Sequence, residues 1–155
     1  GLGKPYHFAL KTFNLLSNIM DDSFYDFYSL PNWYCGLVLY QFKKLDEQLT
    51  HRRTIAQIYM ECLPKEISLE PISSAIDLSS NLRFPIIVPK RNSLIKYLER
   101  SGIYVSDVWY DDVAPECPNA IAISKTILNL PTHINVSKKD AIHISELINT
   151  WIKSK

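Results

Sequence analysis

The side chains able to do acid–base, nucleophilic or metal chemistry are few and scattered. Four histidines, His7, His51, His133 and His143, stand at no metal-ligand spacing to one another or to a cysteine. His133 follows Leu130-Pro131-Thr132 and is the one placed in a loop, where a side chain is free to meet a ligand. Trp109-Tyr110 offers two adjacent rings that can stack on a ligand or line an interface. These three residues, Trp109, Tyr110 and His133, are the candidates for a substrate or interface site. Asp111-Asp112 offers two carboxylates, but neighbours on a loop diverge and read as solvated turn residues. Glu116 and Cys117 have no base beside them, so an activated thiol is not expected. No catalytic residue and no metal site is assigned. With four glycines in the whole chain and no GxGxxG, P-loop or GxSxG motif, a phosphate-cradling loop is not expected.

The elements that must position these residues are organised around one long helix, expected from about Trp33 to Leu63. Cys35, Val38/Leu39, Phe42, Leu45, Leu49, Ala56, Tyr59/Met60 and Leu63 recur three and four apart and form an apolar stripe. The opposite, polar face carries Gln41, Lys43, Lys44, His51, Arg52 and Arg53 among others, and Pro64 ends the run. Such a helix spans roughly 45 Å, more than a compact domain of this size needs, and so reads as a strut shared with another body. Upstream, residues 1–31 form an apolar and aromatic amino-terminal segment, with a helical tendency from Phe8 and a cluster at Phe24, Tyr25, Phe27 and Tyr28. Residues 32–155 are expected to form one domain.

Beyond Pro64 the pattern alternates. Ile67-Ser68-Leu69 and Ser74 to Leu78 are β-prone, and Leu82 to Val88 is a strand whose Pro85 favours an edge or bulge. Ser93 to Arg100 is a short amphipathic helix closed by Gly102, followed by a strand over Ile103 to Tyr110. Pro118-Asn119 opens a helix over Ala120 to Ile127, and Leu128 to Pro131 is extended. Ser137-Lys138-Lys139-Asp140 is a capping box that opens a last helix, with Ala141, Ile144, Leu147, Ile148 and Trp151 on one side. The expected class is α+β: a small sheet of about three or four strands covered mainly on one face by helices, with one long amino-terminal strut helix.

Composition limits the functions available. In 155 residues, 17 Lys and Arg against 16 Asp and Glu give a net charge of +1 without a basic block, so neither nucleic acid nor an anionic membrane is an expected partner. No apolar run is long enough to cross a bilayer and no leader is recognisable. Three cysteines without CxxC spacing fit a reducing compartment, and a cytoplasmic location is expected. Asn135-Val136-Ser137, although a glycosylation triplet, reads as the turn before the last helix.

In their order, Gln41-Phe42-Lys43-Lys44-Leu45-Asp46, Arg52-Arg53, Tyr59 to Leu63, Arg83 to Val88, Leu98 to Ile103 and Leu128 to Pro131 with the closing helix make a pattern. It resembles the carboxy-terminal (small) domain of the DegT/DnrJ/StrS-type sugar aminotransferases, over about residues 29–153. The resemblance implies an aspartate-aminotransferase-type fold and, in intact relatives, pyridoxal-phosphate-dependent transfer of an amino group from glutamate to a keto group of a nucleotide-linked sugar. In those relatives the Schiff-base lysine, followed closely by a glycine pair, and the aspartate facing the pyridine nitrogen lie in the large amino-terminal domain. Here Lys4 is followed by Pro5-Tyr6-His7, and of an Asn-Tyr-Arg triplet that holds the cofactor phosphate only Tyr28 remains, within Phe27-Tyr28-Ser29.

The chain is therefore expected to be the small domain or a remnant of such an enzyme, not catalytic alone and without a cofactor of its own. Its expected partners are the missing amino-terminal domain, a protein partner or a second copy of itself. The alternative is a non-catalytic α+β module that binds a protein partner through its aromatic-rich surface. A small enzyme using His133 with Asp111 or Asp112 lacks an oriented nucleophile or a metal set.

Overall fold

A computed structural model describes residues 10, 12, 32–69, 75–105, 114 and 116–154. The backbone divides into two compact units, Gly1–Leu37 and Val38–Lys155. Within the described residues the chain runs α1 (Asn32–Phe42), α2 (Leu45–Cys62), a 3₁₀ turn (Lys65–Ile67), β1 (Arg83–Ile87), α3 (Arg91–Arg100), α4 (Pro118–Thr126), β2 (Ile127–Pro131) and α5 (Lys138–Lys153). None of these helices is long and apolar enough to cross a membrane. In the first unit, the rings of Trp33 and Tyr34 stack with centroids 4.0 Å apart.

The continuous strut expected from Trp33 to Leu63 is two helices. The ladder tightens at Lys44, whose N–H bonds to Gln41 three residues back, and α2 starts anew at Leu45. Two local features favour the break. The Lys44 ammonium sits 4.4 Å from the Tyr40 ring centroid, a cation–π contact, and Asp46 and Glu47 fall in the first turn of α2, where carboxylates complement the helix dipole. The expected stripe is divided with the helix. Ala56, Tyr59 and Leu63 are buried, as is Ile55 outside the expected stripe, whereas Val38, Leu39, Phe42 and Leu45 are exposed, Phe42 at 66 %.

The class is α+β, as expected, and the sheet has two strands among the described residues. β1 and β2 pair antiparallel with Phe84 opposite Leu130 and Ile86 opposite Leu128, which puts all four on one buried face. Pro85, opposite Asn129, falls on the other face. Ser68 adds a single antiparallel bridge to Ile86, while Ile67 ends the 3₁₀ turn, so the β-prone Ile67–Leu69 stretch forms one bridge rather than a strand. Residues 75–78, expected to be β-prone, form a turn with Leu78 N–H bonded to the Ala75 carbonyl. Ile103 to Val105 are not in a strand; the rest of that expected strand and the aromatic cluster of residues 24–28 lie outside the described residues, and of the helix expected from Phe8 only Leu10 and Thr12, both helical, are described.

Helix α5 packs on α2 and α3, and α2 packs on β1. Ile55, Ala56 and Tyr59 of α2, Leu94, Ile95 and Leu98 of α3, and Ala141, Ile144, Ile148 and Trp151 of α5 close over the strands. α3 ends in a Schellman motif. Gly102, at φ 78°, donates to the Glu99 carbonyl and Ile103 to that of Leu98, so the left-handed residue is the one without a Cβ. Helix α4 starts on Pro118, and α3 is tied to the α4–β2 junction by Arg91 Nη1, which donates to the carbonyls of Ser124 and Ile127.

The capping box at α5 is formed as the sequence requires. The Asp140 N–H donates to Ser137 Oγ at 3.1 Å, and the Ser137 N–H to the Asp140 carboxylate at 2.9 Å. Hydrogen bonds from Ser137, side chain first and backbone second, hold the Asp140 carboxyl below its ordinary range. A carboxylate lowered in the folded state contributes stability above its unfolded pKa and loses it as pH falls through the folded one. Thermal unfolding should therefore show Asp140→Asn less stable than the wild type at neutral pH, with the gap closing as pH falls below the ordinary carboxylate range. A gap independent of pH would contradict a charged cap.

Candidate functional site

Helix α2 presents three polar side chains to one short segment, residues 131–133, where β2 ends. Tyr59, on the buried face beside Phe84 with ring centroids 5.5 Å apart, donates its hydroxyl to the Pro131 carbonyl at 3.1 Å. Two turns earlier, Arg52 Nη1 donates to Thr132 Oγ1 at 3.2 Å and to the Leu82 carbonyl at 2.9 Å. His51 Nε2 lies 3.2 Å from the His133 carbonyl, which assigns the ring proton to Nε2. Burial pushes the Tyr59 hydroxyl well above its ordinary pKa, so it remains a donor through neutral pH.

Thr132 is the node of this clamp. It is fully buried, and its hydroxyl reaches the Asn81 carbonyl at 2.7 Å and the Leu82 carbonyl at 2.9 Å while accepting from Arg52. Asn81 is held in turn by its Nδ2, which donates to the Ile76 carbonyl at 2.7 Å, and it occupies φ 46°, a left-handed conformation that asparagine tolerates. The turn before β1, the end of β2 and the middle of α2 are thereby fixed to one another.

Beside the clamp opens a cleft of about 420 Å³ whose polar lining includes Arg52, Arg83, Tyr104, Asn129, Thr132 and His133. Its character is cationic and hydrogen-bonding. Among the described residues no carboxylate and no lysine lines it, so these side chains can orient an acceptor group but supply no carboxylate–lysine pair. Among the described residues no group of His, Cys, Asp and Glu is arranged to hold a metal ion.

Of the residues singled out from the sequence, His133 lines this cleft. Its backbone carbonyl, rather than its ring, makes the documented contact. Trp109, Tyr110, Asp111 and Asp112 lie outside the described residues. Cys117 and Glu116 are exposed ahead of α4, and Cys35 and Cys62 are exposed as well. Sequence reasoning missed Arg52, Thr132 and Asn81. Arg52 had a readable signal: it precedes Ile55, Ala56 and Tyr59 by three, four and seven residues, the spacing of one helix face.

Comparison with known proteins agrees with this architecture. The family model described as the DegT/DnrJ/EryC1/StrS aminotransferase family matches residues 25–149. No curated protein matches the chain. Among solved structures, the chain is similar to PseC from Helicobacter pylori, described as an aminotransferase involved in the biosynthesis of pseudoaminic acid, with TM-score 0.68, 18% identity, and 96% of this chain covering 46% of that one. It is similar to a DegT DnrJ EryC1 StrS aminotransferase from Brucella abortus, with TM-score 0.66, 19% identity, and 84% of this chain covering 40% of that one. The sugar aminotransferase CalS13 from Micromonospora echinospora gives TM-score 0.59 and 19% identity, with coverages of 72% and 33%. The chain thus spans less than half the length of each of these structures.

Proposed function

The chain belongs to the DegT/DnrJ/EryC1/StrS aminotransferase family, and from that membership we propose that these 155 residues supply the small domain of a pyridoxal-phosphate-dependent sugar aminotransferase and do not transaminate by themselves. One observation carries the reading: the family match runs over residues 25–149, yet the chain accounts for 33% to 46% of the length of the structures it resembles. The substrate class rests on the two neighbours described as a sugar aminotransferase and as acting in pseudoaminic acid biosynthesis.

The described residues do not fit the cofactor. Pyridoxal phosphate needs, within reach of one ring, an amine, an acidic partner for the pyridine nitrogen, phosphate donors and a surface to stack on. Among the described residues the Arg52–His133 cleft has neither lysine nor carboxylate, and the groove along α3 has Lys96 without a carboxylate. The hollow that holds Lys138 and Asp77 leaves both exposed and has no aromatic wall. No chemical step is therefore assigned to these side chains. Their role is mechanical: the clamp from α2 to residues 131–133 makes the second unit a rigid body able to cover a site built by other residues, and the cationic cleft gives it one polar surface for doing so.

The test is the first half-reaction. Incubated with pyridoxal phosphate and L-glutamate, the 155-residue chain should form 2-oxoglutarate no faster than free pyridoxal phosphate does. Saturable formation above that background, dependent on protein concentration, would overturn the proposal.

A further inference from the structure

A second depression, of about 470 Å³, runs along α3 and shares no lining residue with the cleft beside the clamp. Asn92, Lys96 and Arg100 form one row at successive i, i+4 positions, Ser93 and Tyr97 a second row beside it, and Trp151 of α5 closes the far side. Lys96 and Arg100 are exposed, and neither forms an ion pair with a described residue. Among the described residues no carboxylate lines the groove. Two cations one helical turn apart on the same helix face can meet one bound anion together.

We infer that this groove binds a small phosphate-bearing anion, through Lys96 and Arg100 with Asn92, Ser93 and Tyr97 as neutral donors. The chemistry of the lining favours phosphate. A lysine point charge beside a planar arginine fork suits a group with several acceptor oxygens, and two adjacent cations suit two adjacent phosphoryl groups. The volume falls in the range of small-molecule sites, whereas an acidic helix or strand would need a longer groove with apolar anchor pockets. A free diphosphate and the diphosphate of a nucleotide share this chemistry. The inference does not depend on the aminotransferase reading, since none of these residues belongs to the clamp or its cleft.

Calorimetric titration with inorganic pyrophosphate and, separately, with adenosine diphosphate tests it, on the wild type, the Lys96→Gln/Arg100→Gln variant and a Lys65→Gln control. The expected result is saturable pyrophosphate binding that weakens with added salt, is unchanged in the control and is roughly tenfold or more weaker in the double variant, whose thermal midpoint stays at the wild-type value. Tighter binding of adenosine diphosphate would identify a nucleotide as the source, and equal binding the phosphate alone. Absence of saturable binding by both anions, or a double variant that binds like the wild type, would overturn the inference. So would binding of a glutamate-rich peptide without binding of either phosphate compound, which would make the groove a protein-docking surface.

Discussion

Tyr59→Ala should cost about 3–5 kcal/mol of stability, the range for removing a buried aromatic side chain. Tyr59 is fully buried, faces Phe84 across 5.5 Å at 40° and anchors α2 to the end of β2 through its hydroxyl. A domain of this size has only about 5–15 kcal/mol in all, so the variant should be partly unfolded near ambient temperature. Tyr59→Phe separates the ring from the hydroxyl. It keeps the packing and strands only the Pro131 carbonyl, for a loss of about 1–3 kcal/mol. Urea unfolding of both variants measures the two contributions. A Phe variant as damaged as the Ala variant would mean that the hydrogen bond, not the ring, holds α2 to the sheet.

The second large effect is expected at Thr132. Thr132→Val keeps the shape but removes a hydroxyl that accepts from Arg52 and donates to the buried Asn81 carbonyl, which loses that donor, while Arg52 keeps its bond to the Leu82 carbonyl. The expected loss is about 1–3 kcal/mol. Thr132→Ser keeps the hydroxyl and loses one methyl group, for about 1 kcal/mol. Because Arg52 and Thr132 share one network, Arg52→Met and Thr132→Val should be non-additive in a double-mutant cycle, the second change costing less once the first is made. Strict additivity would show that the clamp does not act as a unit.

The parts of the fold that were legible are those with local chemistry. Ser137 and Asp140 announce α5 because the box needs only residues three apart, and Gly102 announces the end of α3 because its backbone conformation excludes most other residues. Leu128 and Leu130, alternating before Pro131, announce β2. The break at Lys43-Lys44 was not legible, since Phe42 to Leu45 contains no proline or glycine. The signs were weak ones, Asp46 and Glu47 suited to a first turn and Lys44 within reach of Tyr40. The turn at residues 75–78 was misread because Ile76 and Leu78 suggest a strand, whereas Ile76 is a single buried anchor and Leu78 is exposed.

The candidate site was legible only at its rim. His133 stood out as a loop histidine, yet what the fold uses is its carbonyl, and backbone acceptors have no sequence signature. Thr132 matters because Asn81, Leu82 and Arg52 converge on it from 51, 50 and 80 residues away, and no local pattern encodes that meeting. Arg52 belonged to the apolar face by spacing and to the polar face by type. A half-buried, hydrogen-bonded arginine satisfies both.

The central claim is that these residues form an aminotransferase small domain whose own side chains do not build a pyridoxal-phosphate site. Its most direct test is a visible-absorbance titration of the 155-residue chain with pyridoxal phosphate, followed by borohydride reduction and intact-mass analysis. The account predicts a spectrum equal to free cofactor plus protein and no single lysine modified in preference to the others. A saturable spectral shift with one stoichiometric adduct at a defined lysine, Lys4 included, would contradict it and show that this chain carries a cofactor site of its own.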